Sequence, residues 1–340
     1  MSNKLSPKKG QFDEIVSIID NARARALKAV NTELIQMYWD IGAYVSAKVK
    51  DDGWGKSVVA DFSAFLQSRY PAVKGFSAQN IWRMKQFYET YSDNTKLSPL
   101  VREIAWTNNL LIMTGCKTDD AREFYLRLCI ANHYTKRELD RQIGSMLYER
   151  TMLSEAKHTE LIVGNSGLAA LRDSYVFEFL DLGEPYKEKD LRHQIVSHLK
   201  DFILEFGRDF TFVGEEYRVQ VGNTDFFIDL LFYNRALTCL VAIELKIDVF
   251  RPEHMGQLNF YLEALDRDVK KPHENPSVGL ILCTGKDDTV VEYALSRTMS
   301  PTMVADYTLH LPDKKILQNK LRELTDLALE SGEEEKNHGR

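Results

Sequence analysis

Three ionisable residues stand where the surrounding sequence is otherwise apolar. Asp229 lies within DFFIDLLFY, and Glu244 and Lys246 lie within LVAIELKI. Strand segments apolar on both faces are usually buried on both faces, and a lone buried carboxylate is costly unless paired, hydrogen-bonded or metal-bound. The three groups are therefore expected to meet. Side chains alternate along a strand, so Glu244 and Lys246 share one face and Leu245 takes the other. With Arg235 and Ala236 as a two-residue hairpin loop, Asp229 pairs across from Ala242 on that same face; a loop of odd length would separate them. Diagonal neighbours in such a ladder sit roughly 7–8 Å apart at Cα, a span two carboxylates can close around one cation.

The chemistry this set suits is hydrolysis of a phosphodiester. Asp229 and Glu244 would hold a hard, oxygen-preferring ion, Mg²⁺ or Mn²⁺, with the backbone carbonyl of Leu245 as a further ligand. Such an ion lowers the pKa of a water and offsets phosphate charge, while Lys246 would orient that water or stabilise the developing charge. An E-x-K triplet alone equally describes a cross-strand ion pair on a solvated face. The upstream Asp in an apolar strand, the hairpin spacing and an α-β-β-β-α-β order favour the catalytic reading.

The elements that must position these residues fall in the second half of the chain. A helix over KDLRHQIVSHLKDFILEF leads into strands TFVGEEYRVQV, DFFIDLLFY, LTCLVAIELKI and SVGLILC, rich in β-branched and aromatic residues. Helices over Pro252–Asp266 and Asp287–Ser296 interrupt them, and a short strand over Met303–Tyr307 follows. The first half reads as all-helical. One helix runs through Glu14 to Tyr44, and a second covers Ser57 to Tyr70 before Pro71. A third is capped by Ser77, and another starts at the T-x-x-E capping box of Thr135 and Glu138 and reaches about Arg150. The predicted organisation is a flexible tail over 1–11, a helical, helix-turn-helix-like domain over 12–150 and a linker over 151–174. A mixed α/β domain follows over 175–312, with a C-terminal helix and disordered acidic tail over 313–340.

With 340 residues, 44% hydrophobic and 28% charged, the chain can build two cores without disulfides or structural metal. Its four cysteines, at 116, 129, 239 and 283, sit far apart in apolar segments, as buried thiols of a reducing compartment do. No stretch reaches the length of a membrane span, and a cytoplasmic location is expected. The net charge of −6 does not exclude a nucleic-acid partner, because part of it sits in the terminal GEEEKNHGR.

In the helical half, Gln79, Arg83 and Gln86 form a polar stripe opposite Ile81, Met84 and Tyr88, with Lys85 beside it. A recognition helix presents such groups, amides and guanidinium to base edges and Lys to phosphate. An ordinary solvated face has the same pattern, and the PAVKGF connection is longer than a typical helix-turn-helix turn. Trp39, Trp54, Trp82 and Trp106 recur at helical spacing and read as core. His193 and His198 read as surface residues, and no Cys or His pair has zinc spacing. TGKDD at 284–288 lacks the phosphate-loop pattern, and no G-x-S-x-G elbow is present.

The segments DLLFY, CLVAIELKI, GQLNFYLEALD and GLILC resemble the PD-(D/E)XK nuclease domain of the YhcG-like nucleases. YWDIGAYV, FSAQNIWRMKQFYETY and ERTMLS resemble the same family's helical N-terminal domain. The resemblance implies a restriction-endonuclease-like core acting on DNA, in defence against foreign DNA or in repair. Asp229 then stands as the motif Asp, Glu244 and Lys246 as the E-x-K pair, and Gln257 with Tyr261 as a Q-x-x-x-Y on the next helix, facing the site and the nucleic acid. Duplex cutting often employs two active centres, so a homodimer is expected. Two positions depart from the family pattern: Ile228 replaces the motif proline, and Arg192 stands where relatives tend to have Glu. Asp190 or Glu205 could supply the missing acid. The competing reading is a nuclease fold that binds or assembles on DNA without cutting; cleavage of RNA is a third.

Overall fold

The computed structural model describes residues 7–158, 171–296, 298 and 300–322. It contains two compact units, residues 1–143 and 144–340.

The first unit is all-helical, as its apolar spacing predicts. Its elements are α1 (Pro7–Asp51), α2 (Lys56–Arg69), α3 (Ala78–Tyr91), α4 (Leu97–Leu100), α5 (Trp106–Gly115), α6 (Asp119–Asn132) and α7 (Lys136–Gly144). Residues 7–11, expected as part of a flexible tail, are the first turns of α1; residues 1–6 lie outside the described residues. Ser77 caps α3 by accepting from the Asn80 amide, and Ile81, Met84, Phe87 and Tyr91 form its buried face. Tyr88, expected on that face, is only half-buried, against Trp39. The α1–α3 crossing is close enough that a Cβ on Gly42 would stand 2.2 Å from the Met84 carbonyl oxygen, so only hydrogen fits there. The tryptophans pack in aromatic clusters, Trp39 and Trp106 both against Phe87 and Trp54 against Phe62.

The Thr135–Glu138 capping box forms as expected, each side chain taking the other's amide. The helix it opens does not reach Arg150. It ends at Gly144, and the chain turns through Met146 at φ 56° before α8 (Leu147–His158). Arg150 donates to the Ser145 carbonyl, a group that continuous helix would use itself.

The second unit continues with β1 (Ser174–Val176), α9 (Glu188–Ser197), α10 (Leu199–Phe206), β2 (Phe210–Val221), β3 (Thr224–Asn234) and β4 (Cys239–Leu245). Then come α11 (His254–Ala264), β5 (Val278–Cys283), α12 (Asp288–Leu295) and β6 (Thr302–Thr308). The strands form one mixed sheet in the order β1-β6-β5-β4-β3-β2, antiparallel from β2 to β4 and parallel from β4 to β1. Every residue of β4 and β5 is buried, which is why those segments are apolar without alternation. One face packs Leu191, Ile195, Phe202 and Phe206 of α9 and α10. The other packs Met255, Leu258 and Leu262 of α11, the crossover between parallel β4 and β5. There a Cβ on Gly279 would stand 2.8 Å from Leu258 Cδ2.

The single helix expected over residues 189–206 is two, broken at His198, whose ring and amide both turn back to the Gln194 carbonyl. Of the two histidines read as surface residues, His193 is exposed and His198 is half-buried near Phe179. Strand β1, three residues long, was not expected. The segment 151–174 holds the end of α8 and the buried Leu171 and Asp173, while residues 159–170 lie outside the described residues. Helix resumes over 314–322, and the tail beyond it also lies outside them. No helix among the described residues is long and apolar enough to cross a membrane. All four cysteines are buried and free of disulfides.

Candidate active site

The β3–β4 hairpin decides how the two carboxylates meet. Asn234 pairs with Cys239 across a four-residue loop, 235–238, where a two-residue loop was expected. The Asn234 side chain organises that loop by accepting from the Leu237 amide at 2.9 Å. The register runs through Leu231↔Ala242 and Leu230↔Ile243, and the next step sets Asp229 opposite Glu244, not Ala242. Two loop lengths of the same parity differ by a slide of two residues, so the shared face survives the correction. The ladder then gives way to the site: the Leu245 amide donates to Asp229 Oδ2 at 3.0 Å.

On the β2 side the register passes from Glu215↔Leu230 to Tyr217↔Ile228, skipping the step between, where Glu216 sits at φ 43°. This conformation is uncommon for a residue with a Cβ and frees Glu216 from the ladder. Arg192, from α9, spans the gap, donating to Asp229 Oδ1 at 2.7 Å and to Glu216 Oε1 at 2.5 Å. The guanidinium thus already occupies one oxygen of the central aspartate.

Glu244 is 3% exposed, and its Oε2 has no hydrogen-bond partner. Lys246, just past the end of β4, donates to the other oxygen at 3.2 Å. Burial, with the Asp229 charge adding to it, pushes the Glu244 carboxyl up to about 7 against the pull of Lys246. Burial works against the Lys246 ammonium, but Glu244 and Glu188 outweigh it and raise its pKa above the ordinary lysine value. Glu188 Oε1, at the start of α9, lies 3.7 Å from Lys246 Nζ.

Neither sequence candidate for the helix-borne acid enters this cluster. Glu205 is wholly buried and committed to Arg150 at 2.9 Å and to the Val176 amide at 3.0 Å. Asp190 is exposed and caps α9 at the Lys187 amide. The α9 acid beside Lys246 is instead Glu188. The signal was available, because Glu188 lies one turn before Arg192 and so on the same helix face. Glu216 had none, since its release from β2 depends on a local break in the ladder.

On α11, Gln257 donates to Tyr261 Oη at 2.7 Å. Burial raises the Tyr261 pKa, the Gln257 hydrogen bond lowers it, and the charges of Glu244 and Asp229 add to the rise, placing the phenol within electrostatic reach of the carboxylates. Gln257 is exposed, and its one described hydrogen bond is to Tyr261. In the helical unit Gln79, Arg83 and Gln86 are exposed on α3, whereas Lys85 is half-buried and ion-paired with Glu89 at 2.7 Å. At 284–288, Lys286 pairs with Asp173 and Asp287 caps α12, so that stretch is accounted for structurally.

The donor set fits a hard divalent cation. Two carboxylates face each other, one buried oxygen lacks a partner, and burial together with the Asp229 charge pushes the Glu244 carboxyl up to about 7. Among the described residues no three His, Cys, Asp or Glu gather as a complete cage.

Comparison with known proteins follows the same division of the chain. A model of the YhcG PDDEXK nuclease domain matches residues 168–322, and one of the DUF1016 N-terminal domain matches residues 14–150. YhcG of Escherichia coli (strain K12) is 31% identical over 359 residues, covering 94% of this chain and 95% of that protein. A repair endonuclease structure from Pyrococcus abyssi aligns at 14% identity and a TM-score of 0.26, covering 38% of this chain and 50% of its own. EndoMS in apo form aligns at 16% and 0.25, covering 39% and 49%.

Proposed function

From the premise that this chain belongs to the YhcG family, with its PDDEXK nuclease domain, we propose that it is a metal-dependent DNA endonuclease. The observation that carries this reading is the buried, half-satisfied Glu244 carboxylate facing Asp229 beside Lys246. Asp229, Glu244 and the Leu245 carbonyl would hold Mg²⁺ or Mn²⁺. When bound, such an ion supplies Lewis acidity, lowering the pKa of a nearby water and offsetting phosphate charge. Lys246, kept charged by Glu244 and Glu188, orients the attacking water or stabilises the phosphate oxygens. Gln257, steadied by Tyr261, lines the approach of the nucleic acid. Gln79, Arg83 and Gln86 on α3 contact duplex DNA, with Lys85 at their edge. The protein acts in the cytoplasm, as a homodimer, in defence against foreign DNA or in repair.

Incubation with plasmid and Mg²⁺ or Mn²⁺ tests the reading. Nicking that disappears in both Asp229→Ala and Lys246→Ala is expected, with losses of at least about a hundredfold. Nicking unchanged in the variants would place the chemistry elsewhere. An RNA panel at stated salt identifies the substrate class.

One observation favours a second reading, a fold that binds DNA without cutting: Arg192 occupies Asp229 Oδ1. If its guanidinium competes with the cation, Arg192→Ala tightens Mn²⁺ binding about tenfold by calorimetry, equivalent to about 1.4 kcal/mol. DNA retention with no cleavage in any divalent ion, by wild type and Arg192→Ala alike, would establish the binding module.

A further inference from the structure

The β2–β3 hairpin runs on past the site as a two-stranded ribbon. Pairing of β3 with β4 begins at Leu230, whereas β2 and β3 stay paired out to Val221 and Thr224. Thr224 is five residues before Asp229, so at about 3.3 Å per residue the ribbon projects about 17 Å beyond it. Its two faces differ. Tyr217, Val219, Phe226 and Ile228 pack with the α11 core, and Phe226 meets Phe260 of α11 at 4.6 Å. The residues that alternate with them, Arg218, Gln220, Asp225 and Phe227, are all exposed on the other face. There Phe227 pairs with Arg218, and Gln220 with Asp225. Phe227 is 52% exposed and packs in neither core of the sheet.

A lone exposed phenylalanine is ordinary on a protein surface, and position gives this one a use. It stands two residues before Asp229, about 7 Å along the strand. Helix α9 packs on the sheet face opposite α11 and sends Arg192 to Asp229 and Glu216 at this place. The chain beyond Leu245 turns away from the ribbon toward β5, the Lys246 amide donating to the Leu282 carbonyl and the Phe250 amide to that of Gly285. A nucleic-acid strand whose phosphate meets Asp229 and Glu244 therefore has an aromatic ring, a guanidinium and a side-chain amide beside it. That combination suits an unpaired base. The ring offers a stacking face to any base, Arg218 a charge to the backbone and Gln220 a hydrogen bond to a base edge. The Arg218–Asp225 ion pair, at 2.8 Å, is 57% and 41% exposed and opens at little cost. A base in intact duplex has both faces covered by its neighbours and reaches Phe227 only by leaving the stack.

We infer that Phe227 is a stacking platform for an unpaired base beside the cut, so that the preferred substrate is single-stranded or locally unpaired DNA. The inference rests on the nuclease reading for its substrate, and its test measures binding, not cutting. Fluorescence anisotropy with Ca²⁺ in place of Mg²⁺ compares a labelled single strand of about 20 nucleotides, longer than one binding site, with the same sequence as duplex. Wild type should hold the single strand more tightly. Phe227→Ala should weaken that affinity about tenfold and leave duplex affinity within about twofold. Phe227→Tyr should restore it and Phe227→Leu should not, since leucine keeps apolar area but has no π face. All three variants should melt as wild type does, the position being exposed. A wild type that prefers duplex, single-strand affinity indifferent to Phe227→Ala, or leucine serving as well as tyrosine would each overturn the inference. Plasmid nicking that is lost in Asp229→Ala, found beside any of these outcomes, leaves the nuclease reading standing. Phe227-dependent single-strand binding by a chain that cuts no DNA in any divalent ion removes that reading and keeps the platform.

Discussion

At the scale of single residues, the site is defined by a carboxylate that is uncomfortable in its own fold. Glu244 is charged in the unfolded chain at neutral pH, yet in the folded protein its pKa lies at about 7, raised by burial and then by Asp229. A carboxyl whose folded pKa is above its unfolded value adds stability in its protonated state, and that stability is lost as pH rises. In the presence of a chelator, the melting temperature should therefore fall between about pH 4.5 and pH 7 and level off above. Glu244→Gln removes the titration. Above pH 7 it should melt higher than wild type, by roughly 2–4 °C per kcal/mol relieved in a unit of this size. Parallel melting curves for the two proteins across this range would show that Glu244 is not strained. Adding Mn²⁺ should stabilise wild type at pH 8 and leave Glu244→Gln nearly unmoved.

At the scale of elements, position depends on where helices are allowed to approach. Helix α11 carries Gln257 and Tyr261 and lies on β5 at Gly279, where a Cβ would also come within 3.0 Å of Leu258 Cγ and Leu262 Cδ1. Leu258 and Leu262 are buried and have little room to yield. Gly279→Ala should therefore cost about 1–3 kcal/mol, measured by denaturant unfolding, by lifting α11 from the sheet. A change below about 0.5 kcal/mol, within the scatter of neutral substitutions, would mean the helix can shift freely. The hairpin has the opposite character. Its loop is twice the expected length, but the parity that keeps Asp229, Glu244 and Lys246 together is unchanged, and the period of two along a strand depends only on parity.

At the scale of the whole molecule, the second unit starts earlier than its sequence change implies. Arg150, on α8, is buried and donates to Glu205 and to the Ser174 carbonyl, inside the unit that begins at Gly144. Removing it leaves the wholly buried Glu205 with the more distant Arg172, 3.8 Å away, and the Val176 amide. Stripping the partner from a buried carboxylate typically costs about 3–5 kcal/mol. A fragment of residues 144–340 should thus fold and melt cooperatively, whereas one of residues 175–340 should melt at least about 6 °C lower or fail to fold. Equal melting temperatures would place α8 outside the cooperative unit.

The sequence by itself determined which residues could share the chemistry. Asp229, Glu244 and Lys246 were conspicuous because apolar strands do not tolerate isolated charges, and the strand period assigned them one face. Helix caps at Ser77 and Thr135 were legible for a similar reason, since their hydrogen bonds are made within one turn. Only the tertiary structure decided what else enters the site. Arg192 on Asp229, Glu188 near Lys246 and Glu216 released from β2 depend on the packing of α9 against a locally broken ladder. Contacts between elements distant in sequence depend on register, crossing and burial, and none of these is encoded in local spacing.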